Sequence, residues 1–407
     1  MEYRFPKDFL WGAATSSYQV EGNNYNDWVE WEHVNSARLA AEAAKRHANA
    51  HMRIPEYILN NYPNPLQPEN YISGRVCDHY NRFKEDFDIA KQIGHNAHRF
   101  SIEWSRVEPE EGKFDEKEIE HYQQVIAALC ERGLEPFVTL WHWTVPIWFR
   151  DKGGWLNKDA PKYFERYVTI ISRSLNYRHI KFWITINEPN VFASNSFLKG
   201  VWPPRYKNIF KYFKVLKNLA KAHKKSYEII KKENPTAQVG ISKNNIYFEN
   251  IPFADYFWNK YFLNKIKSQQ DFIGLNYYFH SRLFGNRNED VTDMGWEIYP
   301  EGIYYVLRGL KKYNLPIYVT ENGLADIKDE KRGKFIKDHL KWIHKVISES
   351  VDVRGYLYWS LLDNFEWDKG FWPRFGLVEI DYETLERKIR PSAYEYAKIC
   401  KSNILEI

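Results

Sequence analysis

Short, uninterrupted apolar runs recur along the chain, and each is followed by a longer segment with apolar residues at helical spacing. Apolar runs without polar alternation are typical of parallel strands that are buried on both faces. Eight such runs occur: Phe9–Ala14, Ala97–Phe100, Pro136–Leu140, Phe182–Ile186, Val239–Ile241, Phe272–Leu275, Ile317–Thr320 and Gly355–Trp359. The pattern therefore predicts eight buried parallel strands.

The segments between these runs predict helices. From Tyr80 to Ala90 the apolar residues lie three or four positions apart, and Gly94 follows as a helix stop signal. The same spacing recurs in residues 119–129 and 335–346. Strands that alternate with helices indicate the α/β class.

Eight strands that alternate with helices, in a chain of this length, predict a (β/α)8 barrel of the TIM type. We expect residues 1–407 to form one catalytic domain, since no linker or low-complexity tract divides them. A doubly wound open sheet is the alternative, but no G-x-G-x-x-G follows the first run.

Polar residues follow nearly every predicted strand. In a TIM barrel the active site lies at the C-terminal ends of the strands. Two glutamates, an arginine, a histidine and three asparagines occupy these positions, where random loop chemistry would favour Gly, Pro, Asp, Ser and Lys. The residues at the strand ends are Arg99, His142, Asn187, Glu188, Asn244, Asn276, Glu321 and Trp359.

Two carboxyl groups that face one pocket can cleave an acetal. A protonated carboxyl donates to the leaving oxygen, while an ionised one attacks the anomeric carbon or directs a water to it. Glu188 and Glu321 are the candidates, after the fourth and seventh predicted strands. The sequence does not set their separation, so retention and inversion of configuration both stay open at this point.

Several motifs resemble those of glycoside hydrolase family 1, the group of β-glucosidases and β-galactosidases. They run in the family's order from residue 5 to about residue 395. The resemblance rests on Phe9–Gly22, Arg99–Arg106, His142-Trp143, Ile186–Pro189, Asn276–Tyr278, Val319–Gly323 and Trp359–Trp367. It implies a retaining β-glycosidase.

The resemblance also implies catalytic roles. Glu188 is similar to the family's general acid/base, and Glu321 is similar to the nucleophile that forms a glycosyl-enzyme. Arg99 is expected to keep the nucleophile ionised, and the Tyr278 hydroxyl is expected to steady it. Asn187 is expected to bind the sugar 2-hydroxyl.

A second implied set recognises the sugar. Amide, carboxylate and imidazole groups bind hydroxyls, and indole faces cover the apolar side of a sugar ring. The set, with Asn187 already named, is Gln19, His142, Trp359, Glu366, Trp367 and the aromatic rim residue Phe375. Members that act on 6-phosphorylated sugars have a small hydroxyl residue in place of Glu366, so the resemblance implies a sugar without phosphate.

The chain departs from the family in two places. Residues 243–270, between predicted strands five and six, are shorter than the family's usual insert. Because this region borders the leaving-group side of the pocket, we expect tolerance of bulky or oligomeric leaving groups. The excursion Asn23–Gly74 begins with alanine-rich helical sequence and continues with four prolines, and it is expected to form a cap beside the entrance.

Composition narrows the possible partners. Trp, Tyr and Phe make up 17% of the chain, which suits a large core and a site with flat apolar faces. The net charge of +5 is modest, and the basic segment Lys221–Lys232 is interpreted as a solvated helix face. No long apolar segment or C-x-x-C occurs. We therefore expect a cytoplasmic protein that binds no nucleic acid or membrane; a homo-oligomer is an open possibility.

The leading hypothesis is hydrolysis of terminal β-linked glucose or galactose without metal or cofactor. β-Mannoside hydrolysis and transglycosylation are alternatives at the same site. A metal-dependent barrel enzyme and a non-catalytic sugar-binding protein are the alternatives from other classes. Few Cys and Met residues, many Lys and Glu residues and the trimmed loops further favour a thermophilic member.

Overall fold

The computed structural model describes residues 2–49, 54–175, 180–283 and 290–407. Eight parallel strands close into a barrel in chain order, and strand one pairs with both strand two and strand eight. The barrel strands are Leu10–Ala14, Ala97–Ser101, Glu135–Thr139, Phe182–Asn187, Gln238–Glu249, Phe272–Arg282, Ile317–Asn322 and Val353–Trp359. The predicted (β/α)8 barrel is confirmed.

Helices surround the barrel and connect its strands. The three segments that the apolar spacing singled out are helical, over His79–Gln92, Glu116–Glu131 and Arg332–Ser348. Gly94 follows the first of them with φ +80°, a conformation that suits glycine. The other α-helices are Ser17–Val20, Asp27–Ala48, Glu56–Leu59, Trp104–Val107, Ile147–Asp151, Ala160–Leu175, Pro189–Ala193, Ile209–Glu233, Pro252–Asp255, Tyr261–Ile266, Glu301–Leu310 and Pro391–Ser402.

Strands five and six are much longer than predicted. Their ladder continues beyond the barrel to the pair Glu249 and Arg282, after a register shift between Asn245 and Tyr247. The apolar pattern did not predict these extensions because polar residues, Ser242–Asn245 in strand five and Asn276 in strand six, interrupt the apolar runs. Two short helices and a π-helical segment, Tyr256–Lys260, replace a long helix between the two strands.

The excursion after strand one lies beside the barrel mouth, as expected. Asn26 caps helix Asp27–Ala48 by accepting hydrogen bonds from the amides of Trp28 and Val29, at 3.0 and 3.1 Å. The Trp28 ring packs 4.8 Å from Trp367 in the loop after strand eight. The excursion thereby supports the wall of the cavity described below.

Apolar side chains fill the barrel interior. Phe137 and Phe182 stack with ring centroids 4.2 Å apart and an interplanar angle of 2°, and Phe272 and Tyr318 pack against them edge-on. A second, larger core joins the strands to the surrounding helices. The polar residues of the mouth therefore stand on a close-packed base. In the part of the chain described, no helix has the length and apolar character to cross a membrane.

Candidate active site

A cavity of about 620 Å³ opens at the C-terminal mouth of the barrel. Nine of the eleven residues predicted for the site line it, while Arg99 and Asn187 lie buried next to it. The nine are Gln19, His142, Glu188, Tyr278, Glu321, Trp359, Glu366, Trp367 and Phe375. These residues come from the ends of strands three, four, six, seven and eight, from the short helix after strand one and from the loop after strand eight.

Arg99 anchors the base of this pocket. Its side chain is fully buried, and its Nε donates to Thr139 Oγ1 at 3.0 Å. One terminal nitrogen donates to the carboxylate of Glu321, and the other donates to Asn187 Oδ1 at 2.7 Å. A buried guanidinium is stable only with such partners, so Arg99 fixes the positions of both residues.

Asn187 in turn fixes the hydrogen bonding of the His142 ring. With its oxygen facing Arg99, its Nδ2 lies 2.9 Å from His142 Nε2, which then accepts the hydrogen bond. Burial and the charge of Arg99 hold the pKa of His142 well below its usual value. A neutral imidazole therefore lines the pocket at neutral pH.

Glu321 lies at the end of strand seven among groups that favour its ionised form. Besides Arg99, the Tyr278 hydroxyl donates to Oε2 at 2.9 Å. Burial raises the pKa of Glu321, while Arg99 and the Tyr278 hydrogen bond oppose that rise. The pKa of Tyr278 is raised by burial and by the charge of Glu321, so this hydroxyl remains a donor.

Glu188 follows strand four and precedes helix Pro189–Ala193. Its backbone has φ +43°, which is uncommon for a residue with a side chain, and its amide donates to the Ser242 carbonyl of strand five at 2.8 Å. Strained backbone of this kind occurs at functional sites where the surrounding structure holds it. The bond to strand five aims the Glu188 side chain into the cavity.

Neutral amides surround the Glu188 carboxyl. Asn276 Nδ2 donates to Oε1 at 2.8 Å, and Asn244 Nδ2 lies 3.3 Å from the same oxygen. Burial, followed by the charge of Glu321, raises the pKa of Glu188 to about 8. Asn276 also lowers the pKa of Glu321, so one amide acts on both carboxyls. The surroundings of the two carboxyls therefore differ: those of Glu188 favour its protonated form, while Arg99 and Tyr278 favour the ionised form of Glu321.

Gln19 and Glu366 form the polar side of the cavity. Gln19 Nε2 donates to the Phe365 carbonyl at 2.9 Å and lies 3.3 Å from Glu366 Oε2, while Oε1 accepts from Ser16. Burial and the charge of Glu321 raise the pKa of Glu366 to about 8. A protonated Glu366 can donate one hydrogen bond to a hydroxyl and accept another.

Indole rings form the wall beside this polar pair. Trp367 packs 4.7 Å from Trp143 and stacks on Tyr18 at 5.3 Å. Trp359 lies 6.1 Å from the His142 ring. The resemblance implied a rim position for Phe375, but this residue is buried within the wall, beside Trp359.

The cavity also contains residues that the site prediction did not include. Asn244 was among the predicted strand ends, but no motif gave it a role. Trp258 donates to Asn244 Oδ1 at 3.2 Å, while Ile246 and Phe248 line the cavity from the extension of strand five. The sequence signal that could have revealed them is alternation, because residues 244, 246 and 248 share one face of an extended strand.

Metal ligation was one of the alternatives for this barrel. Within the described ranges, no group of three or more His, Cys, Asp or Glu residues is arranged to hold a metal ion.

The closed barrel and the pair of buried carboxyls at its mouth are typical of a glycoside hydrolase. A sequence profile for glycosyl hydrolase family 1 matches residues 1–255 and 280–405. The chain belongs to this family.

Relatives and solved structures agree with this assignment. A 1,4-beta-D-glucan glucohydrolase of Thermotoga neapolitana is 35% identical, over 98% of this chain and 99% of the relative, and beta-glucosidase A of Thermotoga maritima is 35% identical over 99% of each. The structure of a beta-glycosidase from Pyrococcus horikoshii superimposes with a TM-score of 0.87 and 38% identity, covering 100% of this chain and 97% of that one. Resemblance to thermophilic and archaeal members is confirmed.

The comparisons also bear on the shortened region. The family profile does not match residues 256–279, which connect strands five and six and include most of strand six. The alignment with the Thermotoga neapolitana enzyme spans 463 positions, more than the 407 residues of this chain, so that relative carries segments absent here. Asn276 and Tyr278 lie in the unmatched interval, and the structure nevertheless brings both to the carboxyl pair.

Proposed function

We propose that residues 1–407 act as one catalytic domain that hydrolyses β-glycosides with retention of configuration. The observation that carries the proposal is the opposite environment of the two glutamates. Glu321 contacts a guanidinium and a phenol, whereas the hydrogen-bond partners of the Glu188 carboxyl in the described part of the chain are the amides of two asparagines. One carboxyl is thus prepared as an anion and the other as an acid, which is the division of labour in a retaining glycosidase.

The first step would form a bond between Glu321 and the anomeric carbon. As the glycosidic bond breaks, Glu188 gives its proton to the departing oxygen, and the leaving group departs as an alcohol. Both carboxyls lie within reach of the Asn276 amide, which favours the shorter separation of retaining enzymes, about 5–5.5 Å, over the 6.5–9.5 Å of inverting enzymes.

The second step would release the sugar. Glu188, now ionised, takes a proton from a water molecule as the water oxygen attacks the anomeric carbon. The ester bond to Glu321 breaks, and the carboxylate returns to its bonds with Arg99 and Tyr278. Two displacements on opposite faces restore the β configuration.

The substrate proposal is a terminal β-glucoside or β-galactoside without phosphate. Gln19, His142 and Glu366 offer donors and acceptors on one side of the cavity, and Trp367 offers an apolar face. Relatives named beta-glucosidase and beta-galactosidase support this choice. Asp368 borders the cavity, and its carboxylate would repel a phosphate dianion.

The leaving group would lie against the extension of strand five. Ile246, Phe248 and Trp258 line the cavity near Asn244, which touches the proposed acid Glu188. This wall is apolar, and the short connection between strands five and six adds little above it. We infer that bulky aryl or oligomeric leaving groups are accepted.

The substrate proposal is tested by kcat/KM for a panel of aryl β-glycosides. We expect the highest values for glucoside and galactoside, with lower values for mannoside and for a 6-phosphoglycoside. If the mannoside is cleaved fastest, the result supports the alternative, a β-mannosidase. Product analysis in the presence of added alcohols would measure the share of transglycosylation.

The roles of the two glutamates are tested separately. Glu321→Ala should abolish turnover, and azide should partly rescue it with formation of a glycosyl azide of inverted configuration. Glu188→Ala should spare substrates whose leaving group departs without a proton. Glu165→Ala, on the outer helix Ala160–Leu175, is the control and should retain wild-type activity. The reverse pattern for the first two variants would exchange their roles, and full activity of both would refute a two-carboxyl mechanism.

A further inference from the structure

Lys243 lies buried immediately behind the proposed acid/base. It is fully buried on strand five, between Ser242, whose carbonyl accepts the Glu188 amide, and Asn244, whose amide contacts the Glu188 carboxyl. Side chains alternate along a strand, so Lys243 points away from the barrel interior while its neighbours point toward it. It does not line the cavity, and no motif of the family resemblance includes it.

The ammonium group of Lys243 has few partners for a buried charge. Its Nζ donates to the Asn244 carbonyl and lies 5.7 Å from the Trp258 ring centroid. Among the described residues, no salt bridge pairs it with a carboxylate in the resting structure. Burying such a charge is costly, so a lysine at this position calls for a compensating interaction.

Glu188 is the anion that Lys243 can stabilise. We propose that Lys243 is a positioning residue that stabilises the ionised form of Glu188 in the glycosyl-enzyme, so that Glu188 can act as the base of the second step. This inference rests on the proposed two-step function. Lys243 would act on Glu188 electrostatically, through its positive charge, and would not touch the substrate.

The charges around Glu188 explain why the second step is the one affected. In the free enzyme, burial and then the negative charge of Glu321 raise the pKa of Glu188 and favour its protonated form, and Glu366 adds a further carboxyl to the pocket. Bond formation to the sugar neutralises Glu321, while Glu188 loses its proton to the leaving group. Arg99 is held by Glu321 and Asn187, so Lys243 is the cation beside Glu188 on strand five.

The pKa values agree with this geometry. Burial lowers the pKa of Lys243 to about 7, and a charged Glu188 raises it; the positive charge of Lys243 in turn lowers the pKa of Glu188. Lys243 thus holds its proton most firmly when Glu188 has given its own away.

The test replaces Lys243 by methionine, which has similar length without charge. For a dinitrophenyl β-glycoside, whose leaving group departs without a proton, kcat reports the second step. We expect the acid limb of kcat to move to higher pH by about one unit, so that kcat near pH 6 falls up to about tenfold. The kcat/KM of this substrate, which reports the first step, should stay within about twofold.

Lys231→Met is the matched control. Lys231 also donates to a backbone carbonyl, that of Ala237 at 2.7 Å, but this contact lies at the opposite end of strand five. Loss of Lys231 should therefore leave the pH profile of kcat unchanged. If Lys243→Met does not fold, Lys243→Gln removes the charge and retains a hydrogen-bond donor. This variant should give the same shift of the acid limb of kcat to higher pH.

A folded Lys243 variant with the wild-type acid limb of kcat would overturn the proposal, as would an equal loss in kcat and kcat/KM. Failure of the proposed function is a different result, since it would appear as wild-type protein without activity on any β-glycoside.

Discussion

At the scale of single residues, Glu188 and Glu321 show how different neighbours can prepare the same type of side chain for two different roles. The motifs around both residues were readable in the sequence, and the structure places both in one cavity. Asn276 and Asn244 were also predicted at strand ends, but the sequence did not show that both contact the Glu188 carboxyl, because that depends on how strands five and six pack beside strand four. Local sequence identifies the reactive groups, but tertiary contacts set their protonation.

The pH dependence of the first step follows from the pKa of Glu188. The proposed acid is active while protonated, and its raised pKa of about 8 means that activity is lost as the pH rises through that value. For a substrate with a poor leaving group, we expect kcat/KM to fall tenfold per unit above about pH 8. A dinitrophenyl glycoside needs no proton and is the control; an identical alkaline limb for both would contradict the assignment.

Tyr278→Phe removes the hydroxyl that donates to Glu321 Oε2. A hydrogen bond to a charged group contributes about 1.5–3 kcal/mol, so we expect kcat/KM to fall by about 10- to 100-fold. Because this bond lowers the pKa of Glu321, its loss should also move the acid limb of kcat/KM to higher pH.

The control for this variant is the neighbouring tyrosine on the other face of strand six. The Tyr277 hydroxyl donates to the Tyr299 carbonyl at 2.8 Å and does not line the cavity. Tyr277→Phe should therefore lower stability without moving the acid limb. If Tyr278→Phe keeps the wild-type profile, its hydroxyl does not act on Glu321.

At the scale of elements, strands five and six are the most individual part of this barrel. The sequence predicted the barrel halves of both strands and the shortness of their connection, since those depend on local apolar runs and on counting residues. In strand five the extension has one side that faces the cavity and another that packs against helix Glu301–Leu310, and a register shift between Asn245 and Tyr247 interrupts its ladder with strand six. Polar residues separate these extensions from the apolar runs of the barrel, so only the tertiary arrangement defines them.

Phe248 tests the contribution of this extension to substrate choice. Phe248→Ala removes an aromatic face from the proposed leaving-group side, so we expect kcat/KM for bulky aryl glycosides to fall by about fivefold to tenfold, from lost apolar contact of about 1 kcal/mol. Methyl β-glycosides should be affected less than twofold.

Tyr247→Ala is the matched control for Phe248→Ala. Tyr247 is the adjacent residue, stacks 4.6 Å from Tyr305 and does not line the active-site cavity. Tyr247→Ala should lower the free energy of unfolding without changing the ratio of the kcat/KM values for bulky and small leaving groups. Equal losses for both leaving groups in Phe248→Ala would exclude a role in selection.

At the scale of the whole molecule, the fold buries many titratable groups in neutral form. Burial raises the pKa of five carboxyls to about 7 or 8: Glu21, Asp27, Glu32, Glu188 and Glu366. Burial lowers the pKa of six histidines: His95, His98, His121, His142, His223 and His339. These two groups make stability depend on pH in opposite directions.

We expect the melting midpoint to be highest between about pH 5 and 6.5. Raised carboxyl pKa values mean that the native state binds more protons than the unfolded state up to about pH 8, so stability falls as the pH rises. Lys243, whose pKa burial lowers to about 7, opposes part of this fall. Lowered histidine pKa values make stability fall below about pH 6.5. Scanning calorimetry should show a decrease of about 5 °C between pH 6.5 and 8. Glu366→Gln should reduce that decrease, and a midpoint that rises over this interval would contradict the account.

The indole cluster beside the sugar side has an optical consequence. Trp143 and Trp367 lie 4.7 Å apart, Trp28 and Trp367 4.8 Å, and Trp143 and Trp202 4.7 Å. Chromophores at such separations share their electronic excitation, so the four rings should give a coupled band in near-ultraviolet circular dichroism. Because Trp367 borders the cavity, occupancy of the pocket can be followed through this signal without attaching any dye.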